Sequence, residues 1–260
     1  KVSGTEKLWK HLEKSPCNRV DSQAFLKARL MDFLINDKDR HSGQWRWARF
    51  PAGDCYTWQP IPEDRDQAFV DFDGLAMAVA RRIIPKQIEF EDTYPSLVGL
   101  SMNGWELDRQ FLAELDKSVW DSLTTAFCRD LPDPIIEAAV RRLPPPYYEI
   151  VGATLVQALK SRRDGLPEFV RKYYGLITRE AEIKATDRDE YLQCEHRPNG
   201  DLIVQIGLLD DSGGNRKPPY FQRTFHPTET RELRIYLHGG SDQVEISGSK
   251  ARIALRIDGG

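Results

Sequence analysis

The sequence predicts an α+β fold, with a mostly helical domain over residues 1–183 and a small β-sandwich over 184–260. Three observations carry this expectation. Apolar residues recur at helical spacing through most of the first part. From about residue 184 the pattern changes to short alternating segments separated by Gly-rich or polar turns, as sandwiches and barrels require. One pair of alternating segments, over 44–61, interrupts the helical part as a β-hairpin.

Taken in order, Leu8, Trp9 and Leu12 give a short amphipathic helical turn. Asp21 or Ser22 caps a clearer helix in which Leu26, Leu30, Phe33 and Leu34 share a face. In the hairpin, Trp45, Trp47 and Arg49 fall on one side, Pro51 to Asp54 supply the turn, and Pro60 limits pairing of the return strand. A short apolar helix is expected over 74–84. Asn103 is expected to cap a helix carrying Trp105, Leu107, Phe111, Leu112 and Leu115, and Ser118 to cap 119–127. Asp133 precedes a helix with Pro134 at its first position, Pro144 to Pro146 break the run, and two longer helices follow over about 147–163 and 166–182. Asn199-Gly200 between alternating segments is a strong hairpin signal, and further strands are expected near 218–225, 232–238, 243–247 and 252–257.

The bulk numbers bound the function. The chain has 260 residues, 40% hydrophobic and 30% charged, with net charge -3. That charge gives no electrostatic case for wrapping nucleic acid. No apolar stretch approaches the roughly 18 residues of a membrane span. A start at Lys1 and a strand-like segment running to Gly260 predict a piece of a larger protein. The four cysteines, at 17, 55, 128 and 194, form no C-x-x-C pair, so they are expected as buried or half-buried thiols, with disulfides not the main staple.

The residues that bear chemistry cluster in two places. Asp37-Lys-Asp39-Arg40-His41 leads to Gln44, and Glu63-Asp64-Arg-Asp66 follows the hairpin. Asp39 and Gln44 are five residues apart, the separation between the catalytic Asp and the metal-binding Asn of a protein-kinase loop. In such a set one carboxylate orients a hydroxyl nucleophile, while the amide and the second carboxylate hold the metal that neutralises the phosphates. The same residues also read as plain turn and surface chemistry, where Asp-Arg pairs are common and contribute little. Order, spacing and context together favour a phosphotransferase-type site.

Asp39-Arg-His41, then Gln44, a Trp-rich strand and Ile61-Pro-Glu-Asp64-Arg-Asp66 resemble the atypical kinases of the CotH spore-coat type, and are similar to secretory-pathway and lipid kinases with an Asp-Arg-His loop. The likeness covers about residues 20–75, with looser support to 182. It implies Asp39 as catalytic base, Gln44 and Asp64 as metal ligands, and Asp66 as second ligand or alternate for Asp64. Arg40 and His41 would shape the loop, and Asp37 is an alternative in any of these roles. It implies Mg²⁺ or Mn²⁺, ATP or another nucleoside triphosphate, and a hydroxyl-bearing acceptor of unknown identity. Two departures stand out. Gln replaces Asn at position 44, and Glu63 replaces a family Trp. No glycine-rich phosphate loop occurs, so the nucleotide-covering N-lobe is expected from the rest of the same protein, and this chain alone is expected to be inactive. The 184–260 region resembles β-rich parts of large bacterial surface proteins, so an exported or cell-envelope setting is favoured by that likeness alone. The alternative is a non-catalytic kinase-like scaffold or surface interaction module.

Other features rank lower. Asp71-Phe-Asp73-Gly74 lacks the ligand run of a calcium loop, and helix capping by Asp73 is its expected role. His226 and His238 are expected as satisfied or exposed strand residues. Trp45, Trp47, Tyr56 and Trp58 are expected to pack the hairpin against helices. Arg81-Arg82, Arg141-Arg142 and Arg162-Arg163 are expected on solvated faces, and Gly213-Gly214 and Gly239-Gly240 in turns.

Overall fold

The computed structural model describes residues 1–70, 88–94, 96–210, 215–248 and 251–260. The expected helix over 74–84, the Asp71 to Gly74 motif, Arg81-Arg82 and Gly213-Gly214 lie outside the described residues. The fold is α+β, as the sequence predicts.

The hairpin is β3 (Trp45–Ala52) and β4 (Cys55–Pro62), and it turns through Gly53 and Asp54. Gly53 has φ +62, a conformation that a two-residue hairpin turn needs and that glycine adopts without a Cβ clash. Pairing runs unbroken to Trp45↔Pro62, with Trp47↔Pro60, so Pro60 does not curtail it. The hairpin is also not alone. Two three-residue strands, β1 (Val2–Gly4) and β2 (Asn18–Val20), flank it in a four-stranded sheet of order β1-β3-β4-β2. Segments this short carry no period that a sequence reading can detect.

Between β1 and β2 lies α1 (Thr5–Lys14), and after β2 comes α2 (Ser22–Ile35), whose N-cap is Asp21, accepting from the Ala24 amide at 2.9 Å. Trp45, Trp47 and Trp58 are buried under the sheet, with Phe25 of α2 in contact with both Trp45 and Trp47. Aromatic rings packed this way bury a large area with few rotatable bonds. Tyr56 differs from the expectation: it is exposed, with the Arg49 guanidinium 3.4 Å from its ring centre.

Further helices are α3 (Leu97–Ser101), α4 (Trp105–Leu112), α5 (Lys117–Arg129), α6 (Asp133–Val140) and α7 (Pro145–Thr178). Two expected caps differ. Asp116, not Ser118, caps α5, and α4 begins after Gly104 with no side-chain cap from Asn103. The two long helices expected around Gly165 and Pro167 are one 34-residue helix, α7, with Pro167 inside it. Pro167 is tolerated because α7 is held by packing: Leu166, Phe169, Val170, Tyr173 and Ile177 all enter the main core.

The chain enters the β part earlier than the expected boundary near 184. Strand β5 (Glu180–Lys184) starts two residues after α7. It joins β9 (Glu232–Tyr236) and β11 (Ala254–Asp258) in a three-stranded parallel sheet of order β11-β9-β5. The other sheet is β10-β6-β7-β8, built from β6 (Glu190–His196), β7 (Leu202–Leu208), β8 (Phe221–Phe225) and β10 (Gln243–Gly248). The hairpin of β6 and β7 turns at Gly200, φ +98. Ile183, Leu192, Val204, Phe225, Leu233 and Ile235 form one core between the two sheets, which makes the pair a sandwich. It rests on the helical part through Arg109, which faces Glu180 and Glu182 at 3.8 and 3.7 Å, and through Arg223, which donates to the Ala113 carbonyl.

The cysteine expectation needs correction. Cys17 and Cys55 form a disulfide, while Cys128 and Cys194 are free. The pairing of β2 with β4, which sets Asn18 opposite Tyr56, brings the two sulfurs together, and nothing in the local sequence announces it.

Candidate functional site

The loop that carries Asp39 is made by the end of α2. Asn36 takes a left-handed conformation, φ 62, and its amide bonds back to the last turn of the helix. Short polar Asn is among the few non-glycine residues that accept this geometry. Arg162 of α7 reaches under the same helix end, donating to the Leu34 carbonyl at 2.7 Å and the Phe33 carbonyl at 2.6 Å. It is therefore a buried C-terminal clamp, not part of a solvated face, whereas Arg141 and Arg142 are exposed as expected.

Past Asn36 the loop is fixed from inside. Asp37 and Arg40 are both fully buried and face each other at 3.2 Å. Burial pushes the Asp37 carboxyl up to about 6, against the pull of Arg40. The Arg40 guanidinium crosses to the acidic turn and donates to the carbonyls of Glu63 and Asp64. Arg65, between Asp64 and Asp66, reaches the other way to Asp32 of α2 at 2.8 Å. Arg40 thus bolts the Asp-Arg-His loop to the acidic turn, and Arg65 bolts that turn to α2. The same carboxylate of Asp32 meets Arg29 at 3.1 Å, Arg29 meets Asp108 at 2.9 Å, and Tyr173 donates to Asp108. Burial opposes the Arg29 charge, but Asp108 and Asp32 outweigh it and hold its pKa above the ordinary value.

The outward side chains are those the sequence singles out. Asp39 is 35% exposed and His41 53%, with His41 Nε2 3.9 Å from Asp39 Oδ2. Asp39 Oδ1 accepts a hydrogen bond from Asn103 Nδ2 at 2.9 Å. His41 folds back so that its Nδ1 accepts from the Gly43 amide at 3.1 Å, a loop-shaping contact. Gln44 Nε2 lies 3.4 Å from Asp64 Oδ2. Asp64 itself has φ 51, an uncommon left-handed backbone for a residue with a Cβ. Glu63 is drawn to Arg46 at 3.3 Å. Asp66 is exposed and has no hydrogen-bond or ion-pair partner among the described residues.

The structure therefore brings Gln44 and Asp64 together and ties their turn to the Asp39 loop. Asp39 makes its own hydrogen bond to Asn103 rather than to either of them, and Asp66 joins neither. Among the described residues no group of three His, Cys, Asp or Glu side chains is placed to hold a metal ion. The Gln44–Asp64 contact is itself a hydrogen bond, in which the amide Nε2 and not Oε1 faces the carboxylate. As metal ligands the two residues would offer Gln44 Oε1 and the Asp64 carboxylate, the oxygen donors that Mg²⁺ takes beside several waters. Asn103 and Arg65 are the residues that sequence reasoning missed. Asn103 is distant in sequence and reads as a helix cap, and Arg65 has no local sign that Asp32, 33 residues away, is its partner. A cleft of about 130 Å³ between the helical part and the sandwich, lined by Arg19, Glu114, Lys184 and Tyr220, contains none of these site residues.

No family model matches this chain, and neither the curated proteins nor the solved structures contain a match.

Proposed function

We propose that this chain carries the metal-binding half of a phosphotransferase site, in which a nucleoside triphosphate gives its terminal phosphoryl group to a hydroxyl acceptor. The single observation that supports it most is the pairing of Gln44 with Asp64 at 3.4 Å, on a turn that Arg40 fastens to the Asp39 loop and Arg65 to α2. Residues from two sides of a hairpin meet where the kinase-like spacing requires an amide and a carboxylate to meet.

In this reading Asp39 orients the acceptor hydroxyl and takes up its proton, using the carboxylate oxygen not bonded to Asn103. Gln44 and Asp64 hold Mg²⁺ or Mn²⁺, with Asp66 the alternate carboxylate. The metal, when bound, neutralises charge on the phosphates. Arg40 and buried Asp37 keep the loop's shape, and His41 stiffens it through Gly43. The covering lobe and the nucleotide contacts come from other parts of the protein. The disulfide between Cys17 and Cys55 supports an oxidising, exported setting, since such bonds persist there and are rare in the cytosol.

A second reading, a kinase-like scaffold without catalysis, is favoured by one observation. Asp39 is engaged by Asn103, and Gln44 is engaged by Asp64, so these polar groups already satisfy one another.

The test is transfer of label from ATP, with Mg²⁺ or Mn²⁺, by the natural protein that contains this chain. Transfer that falls at least a hundredfold in Asp39→Ala is expected. Transfer that Asp39→Ala leaves intact would overturn the assignment, and no transfer from any nucleotide would favour the scaffold. The 260-residue chain alone is expected to show no robust turnover.

A further inference from the structure

We infer that Asn103 is the positioning residue of this site: its carboxamide fixes the Asp39 carboxylate from outside the loop. This rests on the phosphotransferase reading for its purpose, although the contact itself does not.

Asn103 sits in a short 3-10 turn, Met102–Gly104, between α3 and α4. Its amide nitrogen donates to Asp39 Oδ1 at 2.9 Å across 64 residues of sequence. It has no local employment to explain it, because α4 starts without a side-chain cap. Its amide oxygen takes no hydrogen bond among the described residues, so an oxygen acceptor is left beside the carboxylate.

The turn is held rigidly. Ser101 is fully buried and donates to the Leu97 carbonyl at 2.8 Å. Gly104 lies against the buried Arg29, and a Cβ at this position would stand 2.7 Å from Arg29 Nη2 and 3.0 Å from Asp108 Oδ2. The backbone next to Asn103 is therefore seated on the ion network that also carries Asp32 and Arg65. One rigid cluster sets the acidic turn on one side and the Asn103 amide on the other. With Oδ1 held by Asn103, Oδ2 is the oxygen left for an acceptor, since His41 at 3.9 Å is beyond hydrogen-bond reach. Gln44, one methylene longer than the Asn expected there, is occupied with Asp64. A short amide from a different element then stands next to the catalytic carboxylate.

Two measurements test this. The first is phosphoryl transfer by the natural protein that contains this chain. Asn103→Leu, which keeps the bulk and removes the amide, is expected to lower kcat about 10- to 100-fold, the scale of misplacing a reacting group, while leaving Mn²⁺ affinity, which belongs to Gln44 and Asp64, unchanged. Asn103→His, whose ring N–H can stand in for the amide, is expected to restore most of kcat, with both variants melting within a few degrees of the parent. Unchanged kcat in Asn103→Leu, or a loss of Mn²⁺ affinity equal to the loss of kcat, overturns the inference. The second is read on the 260-residue chain and needs no metal: the exchange of the Asn103 side-chain amide with water, followed by NMR. Exchange about tenfold faster in Asp39→Ala than in the parent supports the clamp, and equal rates overturn it. Should the natural protein transfer no phosphoryl group, the phosphotransferase reading is what fails, and the amide exchange decides the Asn103–Asp39 clamp alone.

Discussion

Asp37 shows what single side chains contribute to this site. It is fully buried, facing Arg40 and accepting from the Asp39 amide, and its carboxyl is raised to about 6 by burial. Between the ordinary value of 3.8 and about 6, the native chain binds more protons at this position than the unfolded chain does. Its contribution to stability is therefore greatest below about pH 4 and is lost as pH rises through about 6. Asp37→Asn removes that dependence. Denaturant titrations of parent and variant are expected to show the parent losing ground to the variant from pH 4 to 7, and a difference independent of pH would refute the burial argument. The neighbouring network makes a larger prediction. Arg29, Asp32 and Asp108 are all fully buried, so Asp108→Asn leaves a guanidinium short of a counter-charge and is expected to destabilise by about 3–5 kcal/mol, measured by the same titration. At this scale the sequence marks Asp39, Gln44 and Asp64 as candidates by their types and spacing, and the structure leaves Asp39 and Asp64 partly or fully exposed. The buried residues beneath them, Arg29, Asp108 and Arg162, were not legible, because a charged residue reads as surface until tertiary packing closes over it, and half-buried Asn103 was not, because its partner lies 64 residues away.

Among the elements, the hairpin of β3 and β4 does most to assemble the site, since it carries the chain from Gln44 to Glu63 and returns the two ends to each other, the Glu63 amide bonding the Gln44 carbonyl at 3.0 Å. The disulfide fastens this arrangement. Cys17 and Cys55 enclose α2, the Asp-Arg-His loop and β3 within a separation of 38 residues. Replacing both by Ser is expected to cost about 3–4 kcal/mol by the chain-entropy model, with Cys128→Ser as a neutral control. A thiol titration of the unfolded, unreduced chain should find the Cys17 and Cys55 thiols blocked, and four reactive thiols would contradict the bond. Gly104 gives a third test. Gly104→Ala pushes a methyl group into Arg29 and is expected to cost about 1–3 kcal/mol, whereas Gly175→Ala, with open space around it, is not. Long alternating or periodic elements were legible in the sequence: the hairpins, α2 and the strands after residue 190. The strands β1 and β2 were not, since three residues cannot show a period, and α7 was divided because Gly165 and Pro167 look like a break until the core beneath them is seen.

For the whole molecule, the helical part and the sandwich meet through a few charged contacts, Arg109 with Glu180 and Glu182 and Arg223 with Ala113, together with Tyr174, whose hydroxyl donates to Glu229 at 2.7 Å. The site lies wholly within the helical part, on the loop after α2 and the turn after β4. The division into a helical and a β part was legible from the change of period, and the exact seam was not, because β5 follows α7 with a single residue between them. The central claim is that Gln44 and Asp64 hold one ion beside Asp39. The most direct measurement is Mn²⁺-induced broadening of assigned NMR signals of the 260-residue chain at low metal occupancy. The account predicts that resonances of residues 39, 44 and 64 broaden first and together, and that Asp64→Ala abolishes the effect. Broadening that begins elsewhere, or that survives Asp64→Ala at all three positions, would contradict it.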